Sequence, residues 1–390
     1  MALTVLMDKI IDALEKGHLM VGIFLDFSKA FDTVNHQILL AKLSLYGIRG
    51  VPNNWIKSYL SERTQFCTYD NVKSSTKQIN CGVPQGSILG PLLFLTYIND
   101  LHSATTHSDI ILFADDSNMF SQAKSINQIQ DNLNTEIPKL VTWLQANRLS
   151  LNIDKTHAMI FGTRNKEIKN SFNIAIEGKP LQTVTKTKFL GVIIDDQFNW
   201  KHHIAYTAKK VAKAIGIISI ARKVFNKATL VNLYYAFVYP YLIYGNIVWG
   251  RAGKTIVWPL YRLQKIIIRM ISNVKYRTRL SPYFTNLKIL KLEEIHILTT
   301  GIFMYKFKNQ LLPAIFNNFF NENREFHSYP TRGANKLRAP KLKSKVAQNF
   351  VKKTGADLWN LLEPSININL GLNTFKKHLK VHILSAQLTP

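Results

Sequence analysis

An apolar run that ends on two adjacent carboxylates, IILFADDSNMF at residues 110–120, restricts the folding of this chain more than any other stretch. Ile110, Ile111, Leu112 and Phe113 have the composition of a buried strand, and the polar Ser117 and Asn118 behind the acids suit a tight hairpin. Two acids at a strand end are costly to bury unless something neutralises them. Side chains alternate along a strand, so Asp115 and Asp116 face opposite sides unless a hairpin tip re-aims one of them. A bare Asp-Asp pair is more often a polar turn than a site. The balance shifts because a second apolar stretch, residues 21–25, ends on Asp26 inside GIFLDFSKAFDTV. Two strands bringing their acids to one sheet edge form a carboxylate cluster suited to two hard divalent cations about 3.5–4 Å apart. That equipment serves in-line nucleotidyl transfer. One ion lowers the pKa of an attacking 3′-hydroxyl and the other holds the triphosphate and its leaving pyrophosphate.

The rest of the first half alternates helices with short strands, which predicts an α+β fold with a small antiparallel sheet packed on helices. Residues 3–14 have apolar positions at helical spacing and stop at Gly17; Val34, Ile38, Ala41 and Leu45 mark the face of another helix, stopping at Gly47. Pro52 opens a short helix with Trp55 and Tyr59 one turn apart, and residues 64–69 and 76–81 read as a hairpin. It leads into GVPQG at residues 82–86, where two glycines let backbone approach a flat ligand, although an ordinary strand-to-helix turn fits equally. Ser87 then opens a mostly apolar helix to Leu101. Ile126, Ile129, Leu133, Ile137, Leu140 and Leu144 step by three and four along a helix that Pro138 should kink. Residues 149–153, 158–161, 172–176 and 189–194 read as strands.

Charge separates the halves of the 390-residue chain. Residues 1–200 hold 19 Lys and Arg against 18 Asp and Glu, and the remainder holds 31 against 6. The formal charge of +26 therefore lies almost wholly in the second half, the expected polyanion-binding half. There the pattern turns helical. Leu260, Leu263, Ile267 and Met270 share one face of a helix, with Arg262, Lys265 and Arg269 on the neighbouring stripe. Residues 331–353 carry Arg332, Lys336, Arg338, Lys341, Lys343 and Lys345, with Lys352 and Lys353, and no acid; they read as an RNA or DNA contact region that is partly flexible until bound. Cys67 and Cys81, the only cysteines, make neither a disulfide framework nor a zinc knuckle, and a reducing compartment fits. Residues 230–249 are long and apolar, but Asn232, Pro240, Gly245, Asn246 and several tyrosines favour a buried helix and an irregular segment over a membrane span. The early acids of residues 1–17 exclude a signal peptide.

Five motifs together carry a resemblance. LDFSKAFDTVNH (residues 25–36), GVPQGSILGPLLFLTYINDL (82–101), FADD (113–116), LSLNIDKTHAMIF (149–161) and FLGVIIDDQFNW (189–200) resemble, in order and separation, the reverse transcriptase of non-LTR, LINE-type retrotransposons. The similarity continues more weakly through residues 233–249 and 263–271. It implies a palm over residues 1–200 with remnant fingers, a helical thumb-like domain over 201–310 and a basic nucleic-acid-binding region over 311–390. It implies RNA-directed DNA polymerase activity with two Mg2+ ions, Mn2+ being a substitute. Asp26, Asp115 and Asp116 are then the catalytic metal carboxylates, and the backbone carbonyl of Phe27 is a further ligand. Phe31 matches the aromatic gate that excludes a 2′-hydroxyl, with a core phenylalanine as the plain alternative. Gln85 and Gly86 match the loop that positions nucleotide and template, and Lys155 matches a palm lysine near the triphosphate. The implied partners are an RNA template, a DNA primer or target, and deoxynucleoside triphosphates, in an intracellular setting without a membrane.

Three tempting features are set aside: Asp195-Asp196 as a solvated turn, His202-His203 for want of partners at metal-ligand spacing, and Asp32 as the cap of the following helix. Only 25 residues precede Asp26, with Lys9 and Lys16 their only cations. The expectation is accordingly a truncated palm and thumb, and the alternative is a catalytically inactive relic that still binds RNA or DNA.

Overall fold

The structure is a computed structural model that describes residues 1–326, 333–363, 366 and 370–386. It divides into two compact units, one of Lys16–Lys186 and one in which Leu3–Glu15 joins Thr187–Pro390. The helix α1 (Ala2–Glu15) therefore groups with the second half of the chain.

The first unit is built on a five-stranded sheet. Its strands are β1 (Leu19–Leu25), β2 (Asp109–Phe113), β3 (Asp116–Ala123), β4 (His157–Phe161) and β5 (Gln182–Thr183), in the order β5-β4-β1-β3-β2. Central β1 is antiparallel to β3, with Gly22 opposite Phe120 and Leu25 opposite Ser117, and antiparallel to β4, with Gly22 opposite Met159. One face carries Val21, Ile23, Leu25, Met119, Ala158 and Ile160 into a core with helices α2 (His36–Leu45), α3 (Val51–Leu60), α4 (Leu89–Ile98) and α5 (Ile126–Ala146). The α5 residues expected on that side, from Ile126 to Leu144 at steps of three and four, are all buried.

Several local expectations give way. The strand ahead of the acids is the edge strand β2, with only Ile111 buried, whereas the polar Ser117, Asn118 and Ser121 lie buried in β3. Helix α2 buries Leu39, Lys42 and Leu43 and leaves Leu45 80% exposed. Its apolar residues allow two faces, and periodicity alone cannot choose between them. Residues 149–153 form no strand, only a single bridge of Leu151 to Phe27.

In the second unit the buried Asp195, 3% exposed, is no solvated turn. Its carboxylate accepts from the amides of Gln197, Asn199 and Trp200 at 3.0–3.1 Å and so sets the turn that launches helix Lys201–Ala221. Residues 227–249 break into helices Lys227–Phe237, Tyr239–Ile243 and Asn246–Trp249, and no described helix is long and apolar enough to cross a membrane. Helix α1 is tied in through its acids. Asp8 pairs with Lys352 at 3.0 Å, and Glu15 accepts from the amides of Lys343 and Ser344 at 2.6 and 2.9 Å.

The sheet makes one demand that a substitution can expose. A Cβ on Gly22 would meet the Phe120 ring at 2.6 Å in the middle of the sheet. Gly22→Ala should destabilise the first unit by about 1–3 kcal/mol, the usual cost of overpacking. Urea unfolding would check this, and an unchanged midpoint would refute it.

The second unit should also be acid-sensitive. His203, against Trp249, and His296, hydrogen-bonded to Asn246, are buried, and desolvation pushes each down to about 4. The unfolded chain thus takes up protons near pH 6.5 that the folded one refuses. Stability from these groups is complete above about 6.5 and falls as pH drops toward about 4. The thermal midpoint should decline across that window, and less steeply in His203→Gln/His296→Gln; equal slopes would count against it.

Candidate active site

The three acids meet because of strand register. Strands β2 and β3 are joined by the two-residue turn Ala114-Asp115, across which Phe113 pairs with Asp116. Ala114 takes φ +53°, the left-handed conformation that a tight hairpin turn demands. The hairpin tip expected to re-aim one acid is therefore present, with Asp115 in the turn and Asp116 opening the strand. The β1–β3 register, continued one step past Leu25 and Ser117, sets Asp26 opposite Asp116. Burial raises the Asp116 carboxyl above the usual carboxylate range, and the negative charges of Asp115 and Asp26 raise it further. Both neighbouring carboxylates thus act on Asp116.

Asp26 is held by its backbone. Its carbonyl accepts from Asn152 N–H at 2.7 Å, and its own N–H donates to the Thr156 hydroxyl at 3.2 Å. Ser28 N–H adds a bond to the Ser150 carbonyl, and Phe27 buries its ring while bridging Leu151, so the peptide carrying its carbonyl is fixed. The loop that makes these bonds also carries Lys155, whose ammonium lies 3.9 Å from the Asp26 carboxylate. With side chains 70% and 45% exposed, that is a loose pair, free to turn to another anion.

The GVPQG loop is zipped to the segment after Asp26. Gly82 N–H donates to the Val34 carbonyl and Val83 N–H to the Phe31 carbonyl, each at 2.8 Å, while the His36 ring meets the Gly82 carbonyl at 2.7 Å. At Gly82, φ is +86° and a Cβ would lie 2.7 Å from the Asp32 carbonyl oxygen, so the approach requires glycine. The Gln85 amide donates to the Asp32 carboxylate at 2.8 Å. Asp32 therefore ties the loop down and does not cap the next helix; Asn35 does, accepting from Ile38 N–H. Gly86 is exposed at φ +81°. The Phe31 ring is half-buried against Phe94, 4.5 Å between centroids. A cavity of about 620 Å³ beside these residues is lined by Lys29, Asp32, Arg63 and Gln85 among others.

The acids suit a hard divalent cation by their chemistry, since they are oxygen donors whose mutual repulsion a cation would relieve. Among the described residues, however, no three Asp, Glu, His or Cys side chains stand close enough to enclose an ion. Asp26, Asp115 and Asp116 are the residues that would hold one. Thr156, Asn152, Lys29 and Arg63 went unnoticed in the sequence. Asn152 and Thr156 lie inside the motif at residues 149–161, but nothing in the sequence ties them to Asp26.

The basic residues expected to contact nucleic acid belong to the second unit, and Arg332 falls outside the described residues. Arg262, Lys336, Arg338, Lys341, Lys343 and Lys345 are exposed. Lys265 and Arg269 are half-buried against aromatic rings, and Arg338 stacks on Phe326 at 4.0 Å. Lys352 is occupied by Asp8.

The coupling of the acids is directly testable. Asp115→Asn removes one like charge and should lower the Asp116 carboxyl toward its ordinary value. Carboxyl-carbon NMR titration would show this, and an unmoved Asp116 would mean the two do not share a field.

Residues 5–194 match the family model described as reverse transcriptase (RNA-dependent DNA polymerase). The RNA-directed DNA polymerase from mobile element jockey of Drosophila melanogaster is 30% identical over 72% of this chain. The probable RNA-directed DNA polymerase from transposon BS of the same species is 26% identical over 70%. The chain spans 31% of the length of each of these curated relatives. Among solved structures, apo telomerase from Candida tropicalis aligns with 81% of this chain and 55% of its own at 12% identity and TM-score 0.36, too loose a likeness to bear on the fold. With every acid of the site inside the matched stretch, residues 5–194 belong to the reverse transcriptase family, and the relatives they resemble are RNA-directed DNA polymerases of mobile elements.

Proposed function

We propose that this chain performs RNA-directed DNA synthesis, extending a DNA primer on an RNA template from deoxynucleoside triphosphates. The observation that carries the reading is the strand register, which sets Asp26 opposite Asp116 with Asp115 in the adjoining turn, and the raised Asp116 carboxyl supports it. Bound divalent metal, Mg2+ in this reading and Mn2+ as substitute, would activate the primer hydroxyl and neutralise the pyrophosphate. Asp26 and Asp115 would be the chief ligands of such ions, with Asp116 and the backbone carbonyl of Phe27 supporting them. Phe31, propped on Phe94, lies beneath the sugar and leaves no room for a 2′-hydroxyl. Gln85, held by Asp32, steadies the base pair being formed, and Gly86 lets the backbone come close to it. Lys155, beside Asp26, donates a proton to the departing pyrophosphate oxygen. Helices within residues 201–310 act as a thumb, and residues 311–390 add cationic contacts to the nucleic acid.

Asp115→Asn should weaken Mn2+ binding, read by calorimetry, and reduce primer extension by at least about 10²-fold. Oligonucleotide affinity should stay nearly unchanged, since the excess cations lie in the other unit. Extension that survives this substitution would overturn the assignment, as would Mn2+ binding indifferent to it.

A further inference from the structure

Between residues 197 and 292 the chain carries 17 Lys and Arg and not one Asp or Glu. Helix Lys254–Ser272 runs through this stretch and buries Leu260, Gln264, Ile267, Ile268 and Ile271. Its other side bears a different pattern. Trp258 is 50% exposed, and the Lys265 ammonium lies 4.4 Å from the Trp258 ring centroid and 4.9 Å from that of Tyr261. At the far end the Arg269 guanidinium lies 5.1 Å from the ring of Tyr276, which is 78% exposed. Arg262 stands exposed between them.

Residues 258, 262, 265 and 269 follow spacings of four, three and four, so they share one face of the helix. Over those eleven residues the helix rises about 16 Å, the length of roughly five nucleotides stacked at about 3.4 Å. Cations alone suffice to follow the phosphates of a duplex, whose base faces are hidden in the stack. Exposed flat rings interleaved with cations fit unpaired bases, each of which has a π-face to stack. Lys265 and Arg269 rest on rings, where they can turn to a phosphate without breaking an ion pair.

We infer that this face binds an unpaired nucleic-acid strand, with bases stacking on Trp258 and Tyr276 and phosphates held by Arg262, Lys265 and Arg269. The inference rests on the reading of the second unit as a nucleic-acid contact and narrows it from any polyanion to a single strand.

The test uses the whole chain, a fluorescein-labelled 12-nucleotide oligo(U) and a blunt 12-base-pair duplex, each titrated at several salt concentrations. Trp258→Ala/Tyr276→Ala should weaken oligo(U) binding about tenfold or more per ring and leave the duplex affinity and the salt slope nearly as they were. Arg262→Ala should lower the salt slope by about one. Trp258→Phe/Tyr276→Phe should keep most of the oligo(U) affinity, which separates loss of stacking from loss of fold. Wild-type oligo(U) affinity in the double alanine variant would overturn the inference, as would an equal loss on the duplex. A wild-type chain that binds duplex with steep salt dependence but ignores oligo(U) would defeat the single-strand inference and leave the polyanion reading standing. A chain that binds neither would defeat both.

Discussion

The antiparallel register between β1 and β3 is the constraint on which the candidate site depends. It sets Asp26 opposite Asp116 and leaves Asp115 at the adjoining turn, three carboxylates that repel one another. Sheet hydrogen bonds and burial on β1 hold them there at a cost in electrostatic energy. A slip of one residue would send Asp26 to the opposite face and turn Val21, Ile23 and Leu25 out of the core. The close fit of Gly22 under the Phe120 ring, with the Phe24 ring 6.0 Å from it edge-on, favours a single register.

Around that register the motifs lock one another. The loop at residues 150–156 grips the Asp26 backbone on both its N–H and its carbonyl, 126 and 130 residues further along the chain. The GVPQG loop grips the next segment through Phe31, Val34, His36 and Asp32. Each motif is thus positioned by another. The polar groups that do this work are largely main chain, so the side chains of Asp26, Gln85 and Lys155 stay exposed enough to meet a ligand.

The second unit handles charge differently. With so few acids, its cations are placed partly by other means. Lys265, Arg269 and Arg338 lie over aromatic rings, Lys291, Lys308 and Arg324 pair with the few acids of the second half, Glu294 and Glu322, and Lys352 is met by Asp8 of α1. Asp195 spends its charge on three backbone amides. The result is a unit whose net positive charge is left uncompensated at its surface.

The sequence by itself determined the α+β class, the apolar strands at residues 21–25 and 158–161 and the long amphipathic helix of residues 126–146, and it singled out the three acids through resemblance. These depend on local period and on residues whose chemistry is narrow, and neither needs tertiary knowledge. Only the tertiary structure decided that the strand before Asp115 is an edge and the polar strand after it is buried, because pairing partners, not composition, set burial in a sheet. Only it showed Asp32 bonded to Gln85 in place of capping a helix, Asp195 buried in place of solvated, and α1 packed with the second half. The Asp32 and α1 contacts join residues distant in the chain, and the burial of Asp195 depends on what packs around its local turn. Such contacts leave no periodic trace in the sequence.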